Sequence, residues 1–248
     1  STLTGNLGCA SMLEAAIQTI SARDKQAQFY VYSVYPKQDR IVNTYDNVQI
    51  LNAKPLVLAL IINPLALLYK ILVPLRGALK KIPVLGGIVE ADVLLDQGGV
   101  TFVKGRTVFL IYNVATILPA LLVGTPVVKC SQALGDFTGR LNKFVAGLFL
   151  PRVNHIFARG NMTYSFLTEL RLTNVTEAAD YAFLLDITEE NQASAHKVYR
   201  DLVIEKKGKT VCVVPSKVVK KKVEKSGGDY ASLWQEFIRK LIDDGYDV

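Results

Sequence analysis

The sequence predicts an α/β protein built on a parallel sheet, and three observations carry that prediction. Short, nearly continuous runs of apolar, β-branched or aromatic residues occur at Gln28–Val34, Val93–Asp96, Pro126–Ser131, His155–Ala158 and Thr210–Val214, as in strands buried on both faces. Helical spacing appears around them, in Leu13, Ile17 and Ile20 and again in Leu233, Phe237 and Leu241. Asp229 is placed to start the latter helix and Gly245 to end it. Strand runs alternating with helical runs imply βαβ units.

Of the 248 residues, 50% are hydrophobic, enough for a substantial core in one large or two modest domains. The polar stretch 188–196 is read as a linker between a first lobe, 1–187, and a partial second lobe, 197–248, with an apolar insert near 55–83 in the first. The second lobe holds one strand run, a basic loop, one helix and the start of another strand. A glycine turn at Gly5–Gly8 leading straight into a helix normally follows a buried strand, so the sequence reads as incomplete at both ends.

The formal net charge is +7, and much of the excess lies between Lys206 and Lys225, leaving the first lobe mildly basic. Aromatic and basic residues are not interleaved as in RNA-binding surfaces, and no nucleic-acid partner is expected. Cys9, Cys130 and Cys212 are far apart and have no neighbouring His cluster, which argues against a zinc site and against a disulfide framework. With no secretory signal pattern either, a cytoplasmic setting is expected, at most peripheral to the inner face of a membrane.

In an open parallel sheet, ligands bind where strands end and helices begin, because free N–H groups and positive helix ends meet there. Four loops fit. Gly5 to Met12 contains Asn6 and Gly8, small and polar residues that allow close backbone approach; it is an incomplete dinucleotide or phosphate-loop signature, and no cofactor is expected. Asp96 to Thr101 pairs a carboxylate with Gly98 and Gly99. Asp96 can serve as a general base, accept from a sugar hydroxyl or cap its loop. Ser131 to Phe137 offers Ser131 and Gln132 as hydrogen-bonding groups, with Asp136 a possible helix cap. The fourth loop carries Arg159 at a strand end, placed to fork onto phosphate or carboxylate or to form a surface ion pair.

In this order the four loops resemble those of the polysaccharide pyruvyl transferase family. Its motifs are a Gly-Asn-x-Gly turn, an Ala-Asp strand leading to a Gly-Gly loop, and a Gly-x-Pro-Val-Val strand leading to a Ser-Gln turn, followed by a strand ending in Arg and an Asp-x-Ala-Phe segment. They correspond here to Gly5–Ala10, Ala91–Gly99, Gly124–Phe137, Phe157–Ser165 and Ala178–Phe183. Pro215 and Ser216 resemble the start of the family's second lobe. The resemblance implies two Rossmann-like lobes similar to GT-B glycosyltransferases. It also implies transfer of pyruvate from phosphoenolpyruvate to a sugar of a polysaccharide or lipid-linked glycan, as a ketal. Arg159 falls on the family's arginine, giving donor contacts to Arg159, Gly8, Gly98 and Gly99, catalysis to Asp96, and cleft or acceptor contacts to Asn6, Ser131, Gln132 and Ser216. The family's other donor-binding Arg and His fall past Val248. Cys9, Asp136 and Gly160 depart from the usual residues. A nucleotide-sugar glycosyltransferase and a non-catalytic glycan- or membrane-binding relative are the competing expectations.

Two further stretches need a reading. Leu56–Leu75 approaches the roughly 20 apolar residues of a membrane span but is broken by Asn63, Pro64, Lys70 and Pro74, so interfacial attachment or core packing is expected instead. The lysines of 217–225 are expected in a solvated loop, His155 at a strand end, and His196 at a helix start.

Overall fold

The structure, a computed structural model, describes residues 2–104, 107–189, 192, 193, 197 and 208–248. It separates into two compact units, Ser1–Asp186 and Ile187–Val248.

The first unit is a Rossmann-like arrangement of parallel strands and flanking helices, of the GT-B kind. Its elements in chain order begin with α1 (Leu7–Arg23), β1 (Phe29–Ser33), α2 (Pro36–Val42) and β2 (Val48–Asn52). Helices α3 (Pro55–Ile71) and α4 (Val73–Leu79) follow, then α5 (Pro83–Val89), β3 (Leu94–Asp96) and β4 (Val100–Thr101). The last part comprises α6 (Thr107–Val123), β5 (Val127–Leu134), α7 (Arg140–Phe149), β6 (His155–Arg159), α8 (Gly160–Glu169) and β7 (Val175–Ala178). Strand β5 is the centre of the larger sheet, whose order is β3-β5-β6-β7. Its first residues pair with β3, and Ala133 and Leu134 pair with β4. Every pairing is parallel, as continuous apolar strand runs require. The core against this sheet includes Phe102, Ile117, Val127, Ile156 and Leu167.

Strands β1 and β2 form a separate parallel pair with its own small core of Leu3, Leu13, Ile17, Val31, Val48 and Ile50. A cavity of about 510 Å³ lies between β1 and β3, floored by Leu13, Ile17 and Ile20 of α1. The buried carboxylate of Asp39 fixes the chain as it enters α1, accepting from Thr2 Oγ1 at 3.0 Å, Thr4 Oγ1 at 2.6 Å and Ser33 Oγ at 2.5 Å.

Strands β2 and β7 are absent from the sequence-based expectation. Val48–Asn52 is a short mixed run, and β7 has the exposure pattern of an edge strand, with polar Thr176 and Glu177 outward. The apolar insert resolves into two helices meeting at 117°, with the break at Leu72 just before Val73-Pro74. Among the described residues no single helix is long and apolar enough to cross a membrane. Leu58, Ile62 and Ala66 are buried, whereas most of the other apolar side chains of the insert are exposed.

In the second unit, two expectations are corrected. Thr210–Val214 is not a strand: only Thr210 bridges, in parallel, to Asp247. The lysine-rich segment is a helix rather than a loop, α9 (Lys217–Lys225), because Ser216 caps it by accepting from the Val219 N–H. Helix α10 (Tyr230–Asp243) starts at Asp229, which accepts from the N–H groups of Ala231 and Ser232, and is followed by Gly245 at φ +84°. His196 lies outside the described residues.

Candidate functional site

The C-terminal edge of the larger sheet collects most of the residues singled out from the sequence. β3 ends at Asp96, β5 carries Ser131 and Gln132, and β6 ends at Arg159. These strands are neighbours in the order β3-β5-β6, so Asp96 and Arg159, far apart in the chain, stand on one edge.

Lys129, a residue sequence reasoning passed over, organises this edge. Its side chain is fully buried, its Nζ donates to Asp96 Oδ2, and it sits 5.1 Å from the centre of the Phe102 ring. An ammonium is tolerated there only because a carboxylate and an aromatic face replace water. A lysine inside an otherwise apolar strand run was the available signal, since such a charge requires a partner on an adjoining strand. Asp96, with 13% of its side chain exposed, is therefore an ion-paired carboxylate.

Gln132 is also fully buried and engaged internally. Its Nε2 donates to the Asp96 carbonyl at 2.5 Å, and its Oε1 accepts from Thr101 Oγ1 at 2.7 Å. The Ser131 hydroxyl donates to the Ala179 carbonyl. Neither side chain is directed at a ligand in this arrangement; both tie β5 to neighbouring loops. Gly98 is needed for the same packing, since a Cβ would stand 2.8 Å from Thr101 Cγ2, whereas a Cβ on Gly99 would meet nothing.

Arg159 is a partly exposed cation of the edge. One terminal nitrogen donates to Asp180 Oδ2 at 2.6 Å and the other to the Gly99 carbonyl at 2.8 Å, with 27% of the side chain exposed. Two of its five N–H donors are thus engaged, and the plane of the guanidinium is fixed by a carboxylate on one side and the glycine loop on the other. Asp180 also caps the short turn of helix at Tyr181–Leu184 through the Ala182 N–H.

The remaining sequence-predicted residues lie elsewhere. Asn6 is the N-cap of α1, its Oδ1 accepting from the Cys9 N–H at 3.1 Å, and Gly8 stands in the first turn behind it. Ser216 belongs to the second unit, as the cap of α9. Asp136 does not cap α7, whose N-cap is Gly139; it accepts from Thr138 Oγ1 instead. His155 does sit at a strand start, with Nε2 3.1 Å from Thr176 Oγ1 and its ring edge-on to Phe157.

Beside Asp96 a cavity of about 140 Å³ opens, bordered by Tyr32, Gln97, Gly98, Tyr112, Asn113 and Thr116. Burial, and secondly the Asp96 carboxylate, pushes the Tyr112 hydroxyl above its usual range. The same pair of influences pushes the Cys130 thiol up to about 12, with Lys129 opposing. The Gln97 side chain is buried, and neither end of its amide has a partner. Among the described residues no group of three or more His, Cys, Asp or Glu is placed to hold a metal ion.

Parallel strands flanked by helices, with a glycine loop braced by arginine at the strand C-termini, define a Rossmann-like α/β protein. The family model for polysaccharide pyruvyl transferases matches residues 6–248, and the chain belongs to that family, a family of transferases. No curated protein and no solved structure matches the chain.

Proposed function

We propose that this chain takes phosphoenolpyruvate as donor at the edge formed by Asp96, Gly98, Gly99 and Arg159. The acceptor is a sugar of a polysaccharide or lipid-linked glycan. One sugar hydroxyl adds to C2 of phosphoenolpyruvate while C3 gains a proton. A second hydroxyl then displaces phosphate from C2, leaving the pyruvate ketal and releasing inorganic phosphate with the remaining proton. Both stages develop charge on phosphate and carboxylate oxygens, and a guanidinium held in one plane stabilises such oxygens without reorganising.

The observation that carries this reading is Arg159, half-buried at the end of β6 and aimed by Asp180 and the Gly99 carbonyl. Asp96 is assigned to orient an acceptor hydroxyl, its carboxylate positioned by Lys129. The test is calorimetric titration of the full-length protein with phosphoenolpyruvate, beside Arg159→Ala, Arg159→Lys and a panel of nucleotide-sugars. Phosphoenolpyruvate binding that falls on the order of 100-fold in Arg159→Ala, with partial retention in Arg159→Lys, supports the proposal. Nucleotide-sugar binding without phosphoenolpyruvate binding replaces it with glycosyl transfer. Saccharide binding without any donor binding replaces it with a non-catalytic role.

A further inference from the structure

The apolar insert presents a surface that the sheet does not use. On α3, Leu58, Ile62 and Ala66 face the core, and Asn63 donates to the Ala115 carbonyl of α6 at 3.1 Å, which fixes which side of the helix is inward. The outward side is strongly apolar: Leu56 is 74% exposed, Leu60 71% and Ile71 63%. Leu67, Leu68, Val73 and Leu75 are exposed as well, and Val108 and Ile111 in the first turns of α6 add to the apolar surface of the insert and the helix packed on it. Single exposed leucines are ordinary, but a run of this extent on successive helices is not.

Charge decides what fits it. Between Asp46 and Glu90 the sequence has no carboxylate, while it carries Lys54, Lys70, Arg76, Lys80 and Lys81. Lys54, Lys70, Lys80 and Lys81 are exposed. Arg76 donates through Nε to the Tyr69 carbonyl at 2.9 Å and through a terminal nitrogen to the Lys70 carbonyl at 3.2 Å, and its guanidinium lies over the Tyr69 ring. It thereby bridges the end of α3 and the start of α4, bracing the 117° bend. A bent, braced pair of helices with apolar and cationic side chains, and no anion, has the character of an interfacial membrane contact rather than of a span.

We infer that α3, α4 and the first turns of α6 dock on an anionic lipid surface, with the leucine and isoleucine side chains inserted at the acyl boundary and the lysines at the headgroups. This does not depend on the identity of the donor substrate. It places the catalytic lobe at a bilayer, where a lipid-linked acceptor would be presented.

The experiment is flotation of the purified protein with vesicles of neutral phosphatidylcholine and of phosphatidylcholine containing one third phosphatidylglycerol. It is run beside the triple variant Leu56→Gln, Leu60→Gln, Ile71→Gln and the double variant Lys80→Glu, Lys81→Glu. Circular dichroism melting verifies that each variant folds. The protein is expected to float with the anionic vesicles and much less with the neutral ones. Each variant should lose on the order of tenfold in partitioning, and salt should weaken the wild type. Failure of the wild type to float, or flotation of both folded variants like the wild type, overturns the inference. So does a wild-type dimer that the triple variant abolishes in sedimentation without any vesicle binding, which assigns the face to a second copy instead.

Discussion

Removing the Lys129 ammonium tests the electrostatic organisation of the candidate site directly. Lys129→Met keeps an unbranched side chain of similar length at a fully buried position, so the main loss is the partner of Asp96. Breaking a buried ion pair by deleting one member costs roughly 3–5 kcal/mol. Because Asp96 retains 13% exposure and can recover some hydration, the lower end, about 3 kcal/mol, is expected. At about 2–4 °C per kcal/mol for a chain of this size, the melting temperature should fall by about 6–12 °C. Asp96→Asn alone should be similarly harmful, since it strands the ammonium. The double variant Lys129→Met, Asp96→Asn, which removes both charges, should recover to within about 1 kcal/mol of wild type. Urea unfolding followed by far-UV circular dichroism measures all four proteins. If Lys129→Met lies within 1 kcal/mol of wild type, or the double variant shows simple additivity, the pair is not the organising interaction described here.

Other outcomes follow from single residues. Burial raises the Asp39 carboxyl, but hydrogen bonds from Ser33, Thr4, Thr2 and the Leu3 backbone outweigh it and hold the group below 3.8. Its stabilisation is therefore complete above 3.8 and lost as pH falls through the lowered value. The stability gap between wild type and Asp39→Asn should accordingly be largest near neutral pH and shrink as the pH falls below the ordinary carboxylate range in denaturant titrations. With its thiol pushed up to about 12, Cys130 should resist iodoacetamide at pH 8 while exposed Cys212 reacts, as peptide mass mapping would report; equal labelling would contradict the burial of β5. Asp229→Ala, which removes the cap of α10, should fray the start of that helix, read as faster amide exchange in residues 230–233.

The strand positions read from the sequence were those with apolar residues on both faces, because burial on both sides leaves a continuous run. Val175–Ala178 escaped notice because this short edge strand has two adjacent exposed polar residues at its centre, and Thr210–Val214 was overread because five apolar or β-branched residues in a row do not by themselves supply a neighbour. The lysine-rich segment misled in the opposite direction: its charge suggested a loop, although Ser216 followed three residues later by Val219 is an ordinary cap spacing. At the site, position was legible and partnership was not. Sequence order placed Asp96 and Arg159 at strand ends, which share an edge, whereas Ser131 and Gln132, read as a loop, lie within β5, because the strand runs on to Leu134 to pair with β4. That Gln132 and Ser131 face carbonyls of other loops, and that Arg159 meets Asp180, depends on contacts between segments 21 to 48 residues apart.

The cavity between β1 and β3 interrupts what would otherwise be one hydrogen-bonded ladder, and that has a consequence for how the lobe comes apart. In a parallel strand, alternate residues direct their peptide groups to opposite sides. With Phe29 bonded toward β2 and Leu94 toward β5, Tyr30 and Leu95 turn theirs toward the cavity. A two-stranded ribbon is marginal without packing partners, so β1 and β2 depend on the small core beneath α1 and on the Tyr32 hydroxyl's bond to the Val84 carbonyl, and where these give way the ribbon can open while β5 and β6 remain intact. Asp39 ties that ribbon to Thr2 and Thr4, so the opening would release the glycine turn ahead of α1 as well. Partial unfolding and the geometry of the first loop are in this way a single equilibrium.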